Sequence, residues 1–257
     1  VDQLGTGTGR MSHFGPNLAQ VPKNESLYGA ECRGLFIADE GRVIVGMDAD
    51  ALELRILAHF LAAFDKGAYT ATVLEGKKEL GTDMHTRNMK AVGLTKRDTA
   101  KTWFYAFIYG AQDFKLGTIV LSEWLEAKLM KFYKAYPPGN ARQAAIKRLG
   151  SRSRSRLIKS IPAFGKLVTA VKKAAKRGHI LGLDKRRIPI RAAHSALNFL
   201  CQGAGALVLK RALVIMFDRF REEKLDVLPL LNVHDAVQLR VLQNQATIVG
   251  QIAGQAV

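Results

Sequence analysis

The stretch VIVGMDADALELRILAHF, Val43 to Phe60, decides how this chain is read. Its opening Val-Ile-Val-Gly-Met is a short apolar run rich in β-branched residues and bounded by Gly41-Arg42, which predicts a buried strand ending at Asp48. Beyond it, Leu52, Ile56 and Ala63, with Leu57, Phe60, Leu61 and Phe64, fall at helical spacings, so an amphipathic helix is expected to follow at once. A carboxylate is thereby set at the carboxyl end of a strand. Taken alone, such an Asp is more often a turn residue or a helix N-cap than a functional group.

A second stretch changes that balance. In LLNVHDAVQLRV, Leu230 to Val241, Leu231 and Val233 precede His234-Asp235, and Val237, Leu239 and Val241 then alternate with Gln238 and Arg240, a hairpin pattern with His-Asp at or near the turn. Two carboxylates from distant strand ends are what metal-assisted in-line phosphoryl transfer needs, with two Mg²⁺ ions about 4 Å apart.

The third informative segment is TKRDTAKTWFYAFIYGAQ, Thr95 to Gln112. Thr95 and Asp98 predict a capping box and Gly110 a helix C-terminus. Between them Arg97, Lys101, Tyr105 and Tyr109 recur every fourth residue, so each step turns the helix face by only about 40° and all four share one sector. Two cations followed by two aromatic rings suit a triphosphate and a base. A helix with its basic residues in water and its Tyr rings in the core explains the same stripe equally well.

Composition narrows the classes of partner. Across 257 residues, 39 Lys and Arg face 22 Asp and Glu, a formal net charge of +17, which points to a polyanion and above all to nucleic acid. A membrane is not expected, since no apolar stretch is read as approaching spanning length and no signal-peptide pattern opens the chain. Cys32 and Cys201 lack metal-ligand spacing and read as reduced thiols of an intracellular protein. No internal repeat is present, and a 48% hydrophobic content is ample for a core.

Residues 134 to 160 read as an insertion. Tyr136-Pro137-Pro138-Gly139-Asn140 breaks a helical pattern, and KRLGSRSRSRLIK, Lys147 to Lys159, alternates Ser with Arg and is expected to be a mobile basic loop. Lys172, Lys173, Lys176 and Arg177 then crowd one side of an expected helix, with Lys185, Arg186 and Arg187 soon after. Contact with template phosphates and a merely solvated charged face are both open readings of this region.

Taken together, the motifs resemble the polymerase domain of family A DNA polymerases, most closely the replicative enzymes of tailed bacteriophages. They occur in order: TGR (Thr8 to Arg10), NLAQVP (Asn17 to Pro22), DADALELR (Asp48 to Arg55), HTRN (His85 to Asn88), RDTAKTWFYAFIYG (Arg97 to Gly110), GLDKRRIPIRAAHSALNFLCQGAGA (Gly182 to Ala206) and VHD (Val233 to Asp235). Any one alone would be weak, but seven in order are specific. The resemblance implies an α+β fold: a palm with a small antiparallel sheet and mainly helical fingers, a right-hand architecture without most of the thumb. Its implied parts are a first palm segment at 1–80, fingers at 81–190 and a second palm segment at 191–257.

It also implies roles. Asp48 and Asp235, with the Ala49 carbonyl, would hold two Mg²⁺ ions; Arg97 and Lys101, helped by His85, would meet the triphosphate. Tyr105 would lie beside the incoming sugar and Tyr109 near the templating position, while Glu53 would exclude a 2′-hydroxyl and so favour deoxynucleotides. Arg10, His194, Asn198, Gln202 and His234 would read the minor-groove side of the primer terminus, where acceptors are nearly independent of sequence. An exposed Glu paired with a nearby cation, for Glu53, and a satisfied core amide, for Gln202, are the plainer readings. Implied partners are primer–template DNA, deoxynucleoside triphosphates and a processivity factor or further polymerase segments, in the cytoplasm of a bacterial host.

Three departures accompany the resemblance. Ala236 stands where the family usually has Glu after His-Asp, the chain opens almost on TGR, and it ends soon after the hairpin. A fragment or one piece of a split polymerase is therefore expected, with a non-catalytic DNA-binding remnant as the alternative.

Overall fold

The computed structural model describes residues 2–257. In chain order its elements are α1 (Gly29–Gly34), β1 (Arg42–Asp48), α2 (Leu52–Asp65), α3 (Ala68–Glu75), α4 (Met84–Val92), α5 (Arg97–Ile108), α6 (Asp113–Leu121), α7 (Glu126–Ala135), α8 (Asn140–Ser160) and α9 (Pro162–Ala175). A short pair, β2 (His179–Leu181) and β3 (Arg187–Pro189), precedes α10 (Ala196–Glu222), β4 (Val227–Val233), β5 (Ala236–Leu242) and α11 (Ala246–Ala256). The chain divides into two compact units. The first holds residues 1–53, 181–188 and 202–257, and the second 54–180 and 189–201.

The first unit is built on an antiparallel sheet in the order β1-β5-β4. Its register follows from two-residue alternation: Val43, Val45 and Met47 lie opposite Val241, Leu239 and Val237. These six share the face that packs on Leu209, Met216 and Phe220 of α10 and on Val249, Ile252 and Ala253 of α11. The other face carries Asp48 opposite Ala236 and Gly46 opposite Gln238. The strand expected to be buried is instead a half-buried edge strand, because β5 takes the central place.

The second unit is helical. On α5 Ala100, Trp103, Phe104, Phe107 and Ile108 are buried, and all but Ile108 lie outside the sector of the cation–tyrosine stripe. Phe164 of α9 meets Tyr69, Phe104 and Phe107 edge-on at 5.2, 5.5 and 6.0 Å between ring centroids. Trp103 donates its indole N–H to Ser153 Oγ of α8 (3.1 Å).

The expected basic loop at Lys147–Lys159 lies inside the 21-residue helix α8. Ile146, Gly150, Ser153 and Leu157 are buried at spacings of four, three and four, a helical seam in which two of the four residues are Gly and Ser. Their smallness is the reason for the contact. A Cβ at Gly150 would fall 1.9 Å from the Asp113 carbonyl oxygen, and one at Gly117 of α6 2.0 Å from that of Ile146, so the backbones of α6 and α8 approach as only glycines allow.

Two further expectations change. The predicted capping box is absent: α5 begins at Arg97, and the Thr95 and Lys96 N–H groups donate to the Glu123 carboxylate (2.8 and 2.9 Å), which takes the capping role from a distance in sequence. The stretch Ala193–Glu222 does reach spanning length, with a mean hydropathy of 1.6 over its most apolar part, half of which is buried. Leu209 and Met216 of this helix, with Phe220 near its end, belong to the core beneath the sheet.

Candidate active site

In the first unit the sheet register gathers the carboxylates. Asp48 ends β1 opposite Ala236, Asp235 occupies the two-residue turn between β4 and β5, and the Ala49 N–H donates to the Asp235 carbonyl (3.0 Å). Residues directly opposite in an antiparallel pair share a face, so Ala236 presents a methyl group beside the Asp48 carboxylate. Loss of solvent, followed by the charges of Asp235 and Asp50, pushes the Asp48 carboxyl above its ordinary value. That like-charge crowding of oxygen donors is what a hard divalent cation relieves. Among the described residues no three ligating side chains cluster, so the protein offers Asp48, Asp235 and the Ala49 carbonyl, which already accepts the Leu52 N–H (3.3 Å) and keeps a second lone pair.

Backbone strain collects at the same place. Ala51 has φ +54° and His234 φ +57°, left-handed values that side chains rarely adopt, and each stands beside one of the carboxylate turns. Partial burial and then the charge of Arg10 hold the His234 imidazole below its ordinary value. Arg10 itself donates to Glu53 Oε1 (2.5 Å), with side chains 20% and 12% exposed. Glu53 is thus a paired residue in the first turn of α2 with Arg10 as its partner, but a largely buried one and not the exposed Glu of the plainer reading. Gln202 is half-buried.

The second unit carries the cations and rings. Arg97 opens α5, Lys101 is exposed one turn on, Tyr105 is half-buried and Tyr109 caps the helix, so the stripe forms as its spacing predicts. His85 of α4 adds a third ring: centroids lie 6.1 Å apart for His85–Tyr105 and again for Tyr105–Tyr109. Gly110 ends the run with φ +82°, and a Cβ there would strike the His194 carbonyl oxygen at 2.4 Å.

Asp83, which sequence reading missed, organises this corner. It caps α4 by accepting from the His85 and Thr86 N–H groups (3.0 and 3.4 Å) and takes the Arg97 guanidinium through Nη2 (2.8 Å) and Nε (3.2 Å). Burial alone would raise its carboxyl, but hydrogen bonds from Arg97 and Thr86 outweigh burial and hold it at about 2. The available signal was an Asp just ahead of a helix start; its pairing with Arg97 leaves no sequence trace.

His85 differs from its expected cationic help. Burial, then the charges of Arg97 and Lys101, press the imidazole down to about 4, so it is neutral at neutral pH, and its Nδ1 is buried with no partner. His194 lies in a 3₁₀ turn ahead of α10, which starts at Ala196, and Asn198 and Gln202 follow on that helix one turn apart. The Asn198 Oδ1 is buried and unpartnered.

Comparison with known proteins follows the same line. Residues 1–257 match the sequence model of DNA polymerase family A. Over 268 aligned residues the chain is 34% identical to the DNA-directed DNA polymerases of Enterobacteria phage T3 and of Escherichia phage T7, covering 93% of this chain and 34% of each relative. It is 28% identical to the thermostable DNA polymerase I of Thermus aquaticus over 98% of this chain and 29% of that protein. The chain therefore spans about a third of the length of the curated relatives it matches. In fold it matches the POL domain of Pol1 from M. smegmatis, in complex with DNA primer-template and dNTP, with a TM-score of 0.75, 21% identity, and coverage of 99% of this chain and 43% of that one.

Proposed function

The chain belongs to DNA polymerase family A, and we propose that it carries the nucleotide-adding centre of a template-directed DNA polymerase. In this reading the first unit serves as the palm and the second as the fingers. The observation that supports it most is the β1–β5 register, which sets Asp48 beside the turn that holds Asp235.

Asp48, Asp235 and the Ala49 carbonyl form an all-oxygen donor set that suits two Mg²⁺ ions. When bound, such ions would lower the pKa of the primer 3′-hydroxyl and take up charge on the departing pyrophosphate. Arg97 and Lys101 supply fixed positive charge for the triphosphate, and Asp83 aims the Arg97 fork before substrate arrives. Neutral His85 contributes an N–H and not a charge. Tyr105 would face the sugar and Tyr109 the templating position.

Glu53, held by Arg10, would fill the space of a 2′-hydroxyl and so select deoxynucleotides. Arg10, His234, Gln202, Asn198 and His194 are the set we assign to the minor-groove side of the primer terminus. The partners are then primer–template DNA and deoxynucleoside triphosphates, with a processivity factor or further polymerase segments, in the cytoplasm of a bacterial host.

Ala236 favours a second reading, a DNA-binding remnant without turnover, because no third carboxylate stands opposite Asp48. Primer extension on a recessed template with Mg²⁺ separates the two. Deoxynucleotide addition that vanishes in Asp235→Ala supports a polymerase; binding of the same primer–template with no extension supports the remnant.

A further inference from the structure

Charge in the second unit also collects away from the α5 stripe. Arg87, Lys90 and Ala91 of α4 and Arg156, Lys159 and Ser160 of α8 line an open groove of about 420 Å³ with four cations and no carboxylate. At 100° per residue, Arg87 and Lys90 lie roughly 200° and 140° around α4 from His85, so the groove is on the side of α4 opposite the ring ladder.

Helix α8 extends this cationic surface. Arg148, Arg152, Arg156 and Lys159 follow at spacings of four, four and three, which keeps all four within a sector of about 80° along roughly 16 Å of axis. The Ser–Arg alternation is therefore sorted by the helix. Arg154, half a turn away, is consumed by Asp113 (2.8 Å) and the Ala111 carbonyl (2.8 Å), whereas Arg152 and Arg156 point outward and exposed. Gly93, at φ +81°, makes room for Arg156, whose guanidinium Nη1 would lie 2.4 Å from a Cβ there. Arg87 is steadied by donating to Thr72 Oγ1. Among the described residues, none of Arg87, Lys90, Arg156 and Lys159 takes part in an ion pair.

We propose that this groove binds the phosphate backbone of a single nucleic-acid strand, at a second site on the helical unit apart from the α5 stripe. Cationic donors and the Ser160 hydroxyl suit phosphate oxygens. The lining offers no aromatic ring for a base to stack on, so contact is blind to sequence. An acidic peptide fits less well, since protein partners draw their binding energy from aromatic and aliphatic anchors and the groove supplies only Ala91. The inference rests on the polymerase reading for which strand is held, but not for the binding itself.

The test is fluorescence anisotropy with a labelled oligo-dT single strand, titrated over a range of NaCl concentrations. In R87Q/K90Q/R156Q/K159Q, affinity at low salt should fall at least tenfold. The slope of log K against log salt should shrink by about 3, on the basis of about 0.7 for each of the four lost phosphate contacts. The charge-matched control K77Q/K78Q/K131Q/K134Q should stay within about threefold of the parent. R156Q/K159Q alone, which leaves α4 untouched, should lose about half of the slope change, so the result does not depend on the fold of the quadruple variant. Equal losses in variant and control would overturn the site in favour of general charge attraction. Competition by polyglutamate as effective as by unlabelled oligo-dT, and dependent on the same four residues, would overturn nucleic acid in favour of an acidic peptide. Failure of the unmutated chain to extend a primer, with groove binding intact, would sink the polymerase reading and not the groove.

Discussion

The sheet of the first unit and helix α5 of the second concentrate opposite charge by opposite means. On the sheet, Asp48 and Asp235 come from distant parts of the sequence and are joined by strand register, and the result is an unbalanced carboxylate pair in which loss of solvent, and then repulsion, raises Asp48. On α5, Arg97, Lys101, Tyr105 and Tyr109 are neighbours by helical period alone, and their charge is partly balanced by Asp83. Long-range pairing creates a group that gains from a ligand, whereas local periodicity creates a surface that is already comfortable. The first should therefore govern activity and cost stability, and the second should do more for stability.

The sharpest way to break that contrast is Asp48→Asn. Primer extension should fall by at least about a thousandfold, since a metal-binding charge is lost, while the melting temperature should hold or rise as repulsion is relieved. A large drop in melting temperature with activity retained would reverse the roles of the two regions.

Gly150→Val comes next and tests the helical side. Its Cβ meets the Asp113 carbonyl oxygen, so α6 and α8 must separate, and thermal or urea unfolding should show a loss of about 3 kcal/mol or more. Unchanged stability would mean that the α6–α8 seam does not hold the unit together.

His85 supplies a pH signature. Its folded pKa, about 4, lies below its ordinary 6.5, so the unfolded chain binds the extra proton and stability is full above 6.5 and falls as pH drops toward 4. The drop amounts to roughly 3 kcal/mol at most by the shift. Melting followed between pH 7 and 4 should flatten in His85→Gln. An unaltered slope would mean that the imidazole is not held neutral. Asp83 acts in a lower window: its stabilisation is present above about 3.8 and fades only as pH falls through about 2.

The smallest effect is expected from Ala236→Glu, which would set a third carboxylate opposite Asp48. The Mg²⁺ concentration for half-maximal extension should fall severalfold, with little change in unfolding. No change would show that Asp48 and Asp235 suffice.

Much of this was legible in the sequence, and the exceptions share a cause. Strand β1, the His-Asp turn, the α5 stripe and the end of that helix at Gly110 all follow from periodicity and turn chemistry, which act over a few residues. Helix α8 was misread because its buried seam uses Gly150 and Ser153, residues that signal a loop unless a partner such as α6 is already known to press against them. The Glu123 cap of α5, the Asp83–Arg97 pair and the Arg10–Glu53 pair were invisible for a related reason, since each joins residues at least fourteen positions apart.

By itself the sequence determined the family and which residues carry charge, ring or carboxylate, because motif order and local period are one-dimensional facts. Only the tertiary structure decided that Asp48 is an edge residue pushed toward protonation, that His85 is neutral, and that the Ser–Arg run is a helix with a sorted cationic face. Those properties depend on burial and on the charges that surround each group in space, and neither is a function of sequence spacing.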